Sequence, residues 1–412
     1  MNTPKIRFKG FKDDWEQRKF SDCYKMSSGY AFKMSDYCDE GVGLINGESI
    51  QHGIINDDNL NHLPEFFIQQ YPEFLLKEND IVVGLNRPIT NGNLKIARIP
   101  SKYNDSLLYQ RAGKIVYKTD CDKDFTYVLL SQEILKHTLV EAVGSDQPFI
   151  STSKLDGWKM MMPSNMEEQV KIGEYFQNLD HLITLHQRKC DETKELKKFM
   201  LQKMFPKNGE KNPEIRFEGF TDDWEQRKLE DISQITAGGT PSTKELTYWE
   251  PKEVPWLASG EVHKKYIYDT DEMISEEGLN NSSAKWVEEG SVLIALAGQG
   301  KTRGTVAITR IPVTTNQSIA AIKFNDILDA DYAFHNLDSR YDELRNISSG
   351  DGTRGGLNKQ LLADLTIAFP QICEQREIGE YFTNLDHLIT LHQRKCEKLK
   401  ELKKFMLQNM FV

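Results

Sequence analysis

The sequence has no long apolar run. No stretch of its 412 residues approaches the ~20 consecutive apolar residues of a membrane-spanning helix, and residues 1–11 lack the apolar core of a signal peptide. The six cysteines are scattered without a CxxC pair, which indicates reduced thiols rather than a disulfide framework. We therefore expect a cytoplasmic protein that does not contact a membrane.

The sequence also lacks the motifs of common catalytic centres. It contains no HExxH or GxSxG pattern, and no DPPY or NPPY tetrapeptide of the kind expected in an adenine methyltransferase. His186 and Cys190 recur as His392 and Cys396, so a metal ion between the two copies is conceivable, but structural zinc sites usually have more closely spaced ligand pairs. We expect a non-catalytic chain with no metal or cofactor of its own.

One loop invites an NTPase interpretation. Residues 295–302 read ALAGQGKT, which resembles a phosphate-binding loop with Ala295 in place of its first glycine. Such a loop needs a helix directly after it, because the helix N-terminus faces the phosphates. The residues that follow, RGTVAITRIP, are β-branched and end in proline, which predicts a strand. The loop is therefore better suited to contact a nucleic-acid backbone.

The sequence has no basic excess. It carries 52 Lys and Arg against 62 Asp and Glu, a net charge of −10. Residues 21–165 hold 14 basic and 19 acidic residues, and residues 230–371 hold 13 and 21. Nucleic-acid binders usually present a basic surface. A DNA-binding role therefore requires that folding gathers the basic side chains on one face and that partners neutralise part of the phosphate charge.

Two internal repeats organise the chain. Residues 172–205 recur as residues 378–411 with 29 of 34 positions identical, and residues 6–19 recur as residues 215–228 with 12 of 14 identical. The inserts between the repeats show no comparable identity. We infer that the repeated parts perform one role twice, that the inserts perform two different roles, and that the two chain ends meet in a circular plan.

The long repeat predicts a helix. It has no Gly or Pro between Glu174 and Phe205, and its 38 residues from Glu167 to Met204 correspond to roughly 57 Å. Its apolar ends and polar middle favour antiparallel pairing of the two copies, although ordinary bundle packing is an alternative. The predicted spacer and partner-binding residues are Ile172, Phe176, Leu179, Ile183, Leu196 and Met200 in the first copy, and Ile378, Phe382, Leu385, Ile389, Leu402 and Met406 in the second.

The two inserts share an order of predicted elements despite their different sequences. Each contains two strands around a polar loop, a third strand, a helix, and a short strand that a proline ends. In the first insert we predict strands at 80–85, 94–99 and 113–118 and a helix at 125–143. In the second we predict strands at 291–297, 305–311 and 316–324 and a helix at 331–345. Both inserts are expected to adopt one small mixed α/β fold.

The loops of the inserts contain the candidate DNA-binding residues. Asn and Gln side chains suit adenine edges, whereas Arg and Lys suit guanine edges and phosphates. Each residue alone is better explained as a solvent-exposed turn residue, but their clustering between strands gives more weight to contact with DNA. The candidates are Arg87, Asn91, Asn93, Lys95, Gln110 and Arg111 in the first insert, and Thr240, Ser242, Gln299, Lys301, Arg303, Asn316, Gln317 and Arg354 in the second.

The chain resembles the specificity subunits of type I restriction-modification systems over nearly its whole length. The resemblance depends on the WEQRK motifs at Trp15 and Trp224, the repeated helices, and GGTPS, VPWLASGEV, SVLIALAGQGKTRG and TTNQSIAAI in the second insert. The first insert matches only in outline. The resemblance implies two target recognition domains, each reading one half of a bipartite asymmetric DNA site, separated by two long antiparallel coiled-coil helices in a pseudo-twofold circular organisation. Two methyltransferase subunits and restriction subunits are the implied partners, and AdoMet, ATP and Mg belong to them.

A DNA-independent scaffold, which would use the same helices to join partners, is the alternative to sequence recognition.

The resemblance also implies domain boundaries. The expected boundaries are 1–165 for the first target recognition domain with its repeat motif, 166–205 for the first spacer helix, 206–213 for a linker, 214–371 for the second target recognition domain, and 372–412 for the second spacer helix.

Overall fold

The first of two compact units contains both ends of the chain. The computed structural model describes residues 3–58, 60–141, 149–207, 210–298, 301–347 and 356–412. The first unit comprises Met1–Leu185 with Lys395–Val412, and the second comprises His186–Arg394. Within the first unit, the backbone N–H of Ile6 donates to the carbonyl of Asn409 at 2.9 Å, so the predicted meeting of the chain ends is confirmed. Among the described residues, no helix combines the length and apolar character that crossing a membrane requires.

The first unit consists of a main sheet, a smaller side sheet, two-stranded pairs and helices. Its strands are β1 (Glu16–Lys19), β2 (Tyr24–Ser28), β3 (Val42–Ile45), β4 (Asn61–Leu63), β5 (Ile81–Gly84), β6 (Ile89–Thr90), β7 (Asn93–Leu94), β8 (Ile96–Arg98), β9 (Leu107–Leu108), β10 (Ala112–Tyr117) and β11 (Lys159–Met162). Its short and long helices are α1 (Phe20–Cys23), α2 (Phe67–Gln70), α3 (Lys123–Glu141) and α4 (Thr152–Asp156), followed by the start of α5 (Met166–Lys203).

The order of the strands in the two sheets of the first unit determines where its hydrophobic core lies. An antiparallel main sheet runs β2-β10-β5-β8, and a side sheet runs β4-β3-β9 with β3 and β9 parallel. The apolar faces of β5 and β10 pack against α3 and α5 through residues such as Val83, Ile115, Phe125 and Phe176. The predicted strands of this insert are confirmed, and so is the helix up to Glu141, whereas its predicted residues 142 and 143 lie outside the described residues. The side sheet was not predicted, because its strands have only two to four residues.

The second unit repeats this plan. Its strands are β12 (Glu225–Lys228), β13 (Ser233–Ala237), β14 (Val254–Leu257), β15 (Tyr266–Ile267), β16 (Glu272–Ile274), β17 (Trp286–Val287), β18 (Val292–Ala295), β19 (Val306–Thr309), β20 (Val313–Thr315), β21 (Ile319–Phe324) and β22 (Thr366–Phe369). Its helices are α6 (Leu229–Ile232), α7 (Glu276–Asn280), α8 (Ala330–Ser339), α9 (Tyr341–Asn346), α10 (Lys359–Ala363) and the start of α11 (Ile372–Met410).

The two units share one topology. In the second unit the main sheet runs β13-β21-β18-β19 with β15 added at its edge, and the side sheet runs β16-β14-β20 with β17 added. The pair β14 and β20 is parallel, as is the pair β3 and β9. The prediction that both inserts adopt one α/β fold is therefore confirmed. The prediction of a single helix at 331–345 is wrong, because the helix is interrupted at Arg340, between α8 and α9. The guanidinium of Arg340 donates to the carbonyl of Thr366 at 2.8 Å.

The short repeat forms the first strand of each unit. β1 pairs antiparallel with β11, and β12 pairs antiparallel with β22, so the WEQRK segment lies beside the strand that leads into a long helix. A bidentate ion pair fixes this arrangement: the Arg7 guanidinium contacts Glu168 at 2.6 and 2.8 Å, and Arg216 contacts Glu374 at the same distances. Both carboxylates are buried.

The long helices carry a continuous seam with a period of 3.5 residues. Along α5 the inward side chains follow spacings of four and three residues: Ile172, Phe176, Leu179, Ile183, His186, Cys190, Thr193, Lys197, Met200 and Met204. This spacing is the heptad pattern of a coiled coil. The prediction that Leu196 and Leu402 belong to the seam is wrong. Leu196 is 45% exposed, and the neighbouring Lys197 occupies the seam position. The predicted residues Ile378, Phe382, Leu385, Ile389 and Met406 follow the same seam along α11.

The two helices pair antiparallel within each unit. In the first unit Lys403 contacts Asp180 at 2.6 Å, and in the second Lys197 contacts Asp386 at 2.6 Å. Also in the second unit, the Nδ1 atoms of His186 and His392 lie 3.0 Å apart. Residue numbers therefore rise along one helix as they fall along its neighbour, as predicted. Burial lowers the pKa of Lys197, and Asp386 opposes this effect.

We expect the buried Arg–Glu pairs to be required for stability. Glu168→Ala removes the carboxylate that pairs with the largely buried guanidinium of Arg7. The free energy of unfolding of the first unit should therefore fall by about 3 kcal/mol. Glu374→Ala should have the same effect on the second unit. Urea unfolding of the full chain measures both. Asp57→Ala is the matched control, because it breaks an exposed pair with Lys102 and should leave the midpoint unchanged. Equal midpoints for Glu168→Ala and Asp57→Ala would contradict this expectation.

Candidate nucleic-acid interface

A loop leaves the main sheet at the same point in both units. It follows β2 in the first unit and β13 in the second, and it begins with Gly29 or Gly238. A Cβ atom on Gly29 would lie 2.1 Å from the carbonyl oxygen of Leu108, and one on Gly238 would lie 1.8 Å from that of Thr315. Glycine therefore allows the loop to pass directly over the end of the side sheet. We call residues 29–41 and 238–253 the tip loops.

A second loop follows β5 in the first unit and contains four of the predicted residues. The β6–β7 hairpin turns at Asn91 and Gly92, whose φ angles of 50° and 77° suit a two-residue turn with both residues in the left-handed region. Arg87 also has a positive φ, of 44°. Arg87, Asn91 and Asn93 are exposed, whereas Lys95 is half-buried with its Nζ donating to the carbonyl of Gly47 at 3.4 Å.

A third loop follows β9 and joins the other two. The N–H of Gln110 donates to the carbonyl of Tyr30 in the tip loop at 3.0 Å, and the carbonyl of Arg111 accepts from the N–H of Leu85 at 3.0 Å. These backbone hydrogen bonds hold three loops together at one edge of the sheets. Polar candidate residues on these loops were predicted from the sequence, whereas the meeting of the three loops is seen only in the structure.

The three loops surround a cleft of about 670 Å³. Arg87, Lys95 and Arg111 line it, whereas Asn91, Asn93 and Gln110 do not. Sequence reasoning missed its other lining residues, which are Tyr37, Asn46, Gly47, Glu48, Asn61, Asn86, Tyr109 and Phe149. Amides, aromatic rings and cations in one groove are suited to base edges and phosphates. Several of the missed residues lie at the ends of side-sheet strands, which were not predicted.

The cleft is positively charged in spite of the acidic chain. Among the described residues, its lining contains three cations and one carboxylate, that of Glu48. Within the ranges that the structure describes, neither Arg87 nor Arg111 forms an ion pair, so both guanidinium groups are available to a ligand. Partial burial, with the neighbouring Tyr109, raises the pKa of Tyr37.

The second unit gathers the corresponding loops with different side chains. The Thr240 hydroxyl donates to Gln317 at 2.6 Å, which joins its tip loop to the loop after β20. Asn316 is half-buried, and its side chain accepts from the N–H of Ser318. The Ser242 carbonyl accepts from the indole N–H of Trp249 at 3.1 Å.

The loop between β18 and β19 completes this edge. The N–H of Leu296 donates to the carbonyl of Ser318 at 2.8 Å, which holds the end of β18 against the loop after β20. Lys301 is exposed and Arg303 is half-buried. The predicted residues Gln299 and Arg354 lie outside the described residues. The structure thus brings Thr240 and Gln317 into contact at an edge equivalent to the cleft of the first unit.

The structure supports the rejection of an NTP site. The residues from Lys301 to Thr305 form turns, and β19 begins at Val306, so a strand follows this loop as predicted. A phosphate-binding loop would require a helix there. In the part of the chain that the structure describes, no group of three or more His, Cys, Asp or Glu side chains is arranged to hold a metal ion.

The long helices present a repeated apolar surface outside their seam. Large apolar side chains with at least two fifths of their area exposed occur at matching positions of both copies: Leu182 and Leu388, Leu196 and Leu402, Phe199 and Phe405, together with Leu391. Leu182, Leu402 and Phe405 belong to the first unit, and Leu196, Phe199, Leu388 and Leu391 belong to the second. Exposed apolar residues at repeated positions are typical of a protein contact. We call the set in each unit its part of the helix-flank surface.

A family model described as the type I restriction modification DNA specificity domain matches this chain twice, at residues 12–195 and 221–401. The MjaVIII type I restriction enzyme specificity subunit of Methanocaldococcus jannaschii is 34% identical over 188 residues, which cover 45% of this chain and 44% of that protein. The EcoAI specificity subunit of Escherichia coli is 29% identical over 174 residues, or 41% of this chain and 30% of that protein. These matches span less than half of each relative.

The fold also resembles that of solved proteins. The S subunit of a type I restriction-modification system from M. genitalium superposes with a TM-score of 0.68 at 16% identity, covering 100% of this chain and 99% of that one. At this identity the likeness shows a shared fold. It agrees with the predicted fold class of two α/β units and two long helices.

We expect the tip-loop glycines to tolerate no side chain. Gly29→Ala and Gly238→Ala each force a methyl group into a backbone carbonyl, which should lower the free energy of unfolding by about 2 kcal/mol or more. Thermal or urea unfolding of the full chain measures the loss. Gly157→Ala and Gly260→Ala are matched controls in the same two units, because a methyl group there meets no atom closer than 3.7 Å. Stability losses as large in the controls would refute the steric explanation.

Proposed function

Because the chain belongs to the family of type I restriction-modification DNA specificity domains, we propose that it is the specificity subunit of such a system. It binds double-stranded DNA in the cytoplasm and directs the adenine methylation or the restriction that its partner subunits perform. In this proposal the chain is not an enzyme. AdoMet, ATP and Mg are bound by the partners.

The observation that carries the proposal is the convergence of polar loops at the same edge of both units. The shared topology indicates the same task, whereas the different side chains at that edge indicate different base sequences. The first unit offers Arg87 and Arg111, which suit guanine or phosphate, and the second offers the amides of Asn316 and Gln317, which suit adenine. Each unit would therefore read one half of a bipartite, asymmetric site.

Ion pairing reconciles this proposal with the acidic composition. Many carboxylates of the two units are held by cations away from the loop edge, as in the pairs Lys114–Asp80 and Lys265–Asp338. The unpaired arginines of the cleft then provide a local positive potential, which does not depend on the net charge of the chain. Methyltransferase partners that enclose the DNA would neutralise further phosphates.

The helix-flank surface supports the partner assignment. Since its side chains recur in both copies of the long repeat, the same kind of partner can bind twice, which fits two methyltransferase subunits. Restriction subunits would join through them. The seam residues hold the two helices together, so the length of the pair would set the number of base pairs between the two half-sites.

The experiment that tests the proposal is co-expression with the methyltransferase subunit, followed by mapping of methylated adenines across a genome. We expect a split motif with a constant gap. Arg87→Ala with Arg111→Ala should relax the first half of the motif only, because each base contact of this kind contributes about 1–3 kcal/mol of discrimination. Lys102→Ala, an exposed lysine of the same unit outside the cleft, should leave the motif unchanged.

The opposite results are also informative. An assembled complex that methylates without sequence preference would favour the scaffold alternative. A double Arg87 and Arg111 variant that relaxes both halves of the motif, or neither half, would contradict the assignment of one half-site to each unit.

We expect the gap to follow helix length. Insertion of one heptad at the centre of each long helix, after His186 and after His392, preserves the seam period and adds about 10 Å, or about three base pairs at 3.4 Å each. The mapped gap should widen by about three base pairs while both half-motifs remain the same. A control with the heptad inserted into the 206–213 linker should keep the original gap. An unchanged gap after the double helix insertion would disprove the spacer role.

A further inference from the structure

The two most exposed large apolar side chains of the described residues lie on the two tip loops. Met34 is 84% exposed and Leu246 is 79% exposed. Each begins a short 3-10 helix, Met34–Asp36 or Leu246–Tyr248. The first loop has the sequence GYAFKMSDYCDEG and the second has GGTPSTKELTYWEPKE, so these exposed apolar positions occur within otherwise different sequences.

Both positions are held by an ordered backbone. In the first tip loop the Lys33 N–H donates to the Asp36 carboxylate at 2.9 Å, and the Cys38 N–H donates to the carbonyl of His62 at 3.1 Å. In the second, the carbonyl of Tyr248 accepts from the N–H of Ser275 at 3.0 Å. Each exposed apolar side chain therefore lies on a turn that hydrogen bonds hold in place.

Both tip loops belong to the edge that gathers the polar loops. Tyr37, three residues after Met34, lines the cleft of the first unit. The second tip loop contains Thr240, which bonds Gln317. Both tip loops therefore begin at the surface that we assign to DNA in the proposed function, on which this inference rests.

We propose that Met34 and Leu246 are wedges that insert at a base step of the DNA, one in each half-site. Proteins that bend or unstack DNA use Met, Leu, Ile, Phe or Pro for this purpose, because such side chains replace base stacking with apolar contact. Isolated exposed apolar residues are common, but here the two extreme cases occupy equivalent loops beside the candidate interface. The wedge contact adds recognition through the deformability of the step rather than through its base edges.

The position of the tips favours DNA over a protein partner. The repeated surface that suits a protein partner lies on the long helices, whereas the tips stand on the loops that differ between the two units. A partner that binds twice in the same way requires identical contacts. The tips are different residues in different loop sequences, as recognition of two different half-sites requires.

The test uses the assembled complex with its methyltransferase subunits and a duplex that carries the mapped site. 2-Aminopurine is placed in turn at each position of both half-sites other than the methylated adenines, since its fluorescence rises when the base is unstacked. We expect a severalfold rise at one step in each half-site with the wild-type complex. Met34→Ala should abolish the rise in the first half-site only, and Leu246→Ala in the second only. Each should weaken DNA binding about tenfold, which corresponds to about 1.4 kcal/mol.

Matched controls separate the wedge from general loss of apolar surface. Ile54→Ala and Tyr268→Ala remove side chains that are 61% and 60% exposed in the first and second units, outside the tip loops, and should leave fluorescence and affinity unchanged. Met34→Leu, which keeps an apolar wedge, should retain the signal. Affinity for the methyltransferase subunit is measured for every variant.

The possible failures are distinguishable. A wild-type complex that methylates one split motif but produces no fluorescence rise would overturn the wedge and leave the proposed function intact. Tip variants that lose affinity for the methyltransferase subunit while keeping the fluorescence signal would assign the tips to a protein contact. A wild-type complex without sequence-specific methylation would overturn both proposals.

Discussion

The buried ion pair between the short repeat and the start of a long helix is the constraint on which the rest of the structure depends. Arg7 with Glu168, and Arg216 with Glu374, tie the start of the short repeat, which precedes the first strand of a unit, to the helix that leaves that unit. A buried ion pair contributes little net stability compared with apolar packing, because desolvation opposes the attraction. Its geometry, however, accepts only one arrangement of strand and helix. The pair thus fixes a common frame in which the inserts can differ.

The repeats made the frame predictable from the sequence. Near identity of two long segments indicated the helices and their pairing, and strand periodicity indicated the main sheets. The coiled-coil seam was only half recognised. His186, Thr193 and Lys197 occupy inward positions of an unbroken heptad, but the polar middle of the repeat suggested a break, after which the predicted seam resumed at Leu196. Polar residues at inward positions are tolerated where a partner charge, such as Asp386, satisfies them.

The candidate interface was predictable in its residues but not in its assembly. Arg87, Lys95 and Arg111 were recognisable as polar loop residues, whereas Asn46 and Asn61 were not, because they adjoin side-sheet strands too short to show a periodic pattern. Which loops converge depends on backbone hydrogen bonds between distant segments, such as that from Gln110 to Tyr30, and these leave no local signal. Met34 and Leu246 were missed for a related reason, since the exposure of a side chain depends on the tertiary structure around it.

The division of each long helix between units has a consequence for the order of folding. The second unit, His186–Arg394, is one continuous segment, whereas the first needs Lys395–Val412, and Phe411 packs there against Trp15, Phe125 and Phe176. During synthesis the second unit can become complete while the first still exposes the apolar surface that Phe411 covers. The first unit, although its synthesis begins earlier, can then mature only after the second unit has been completed.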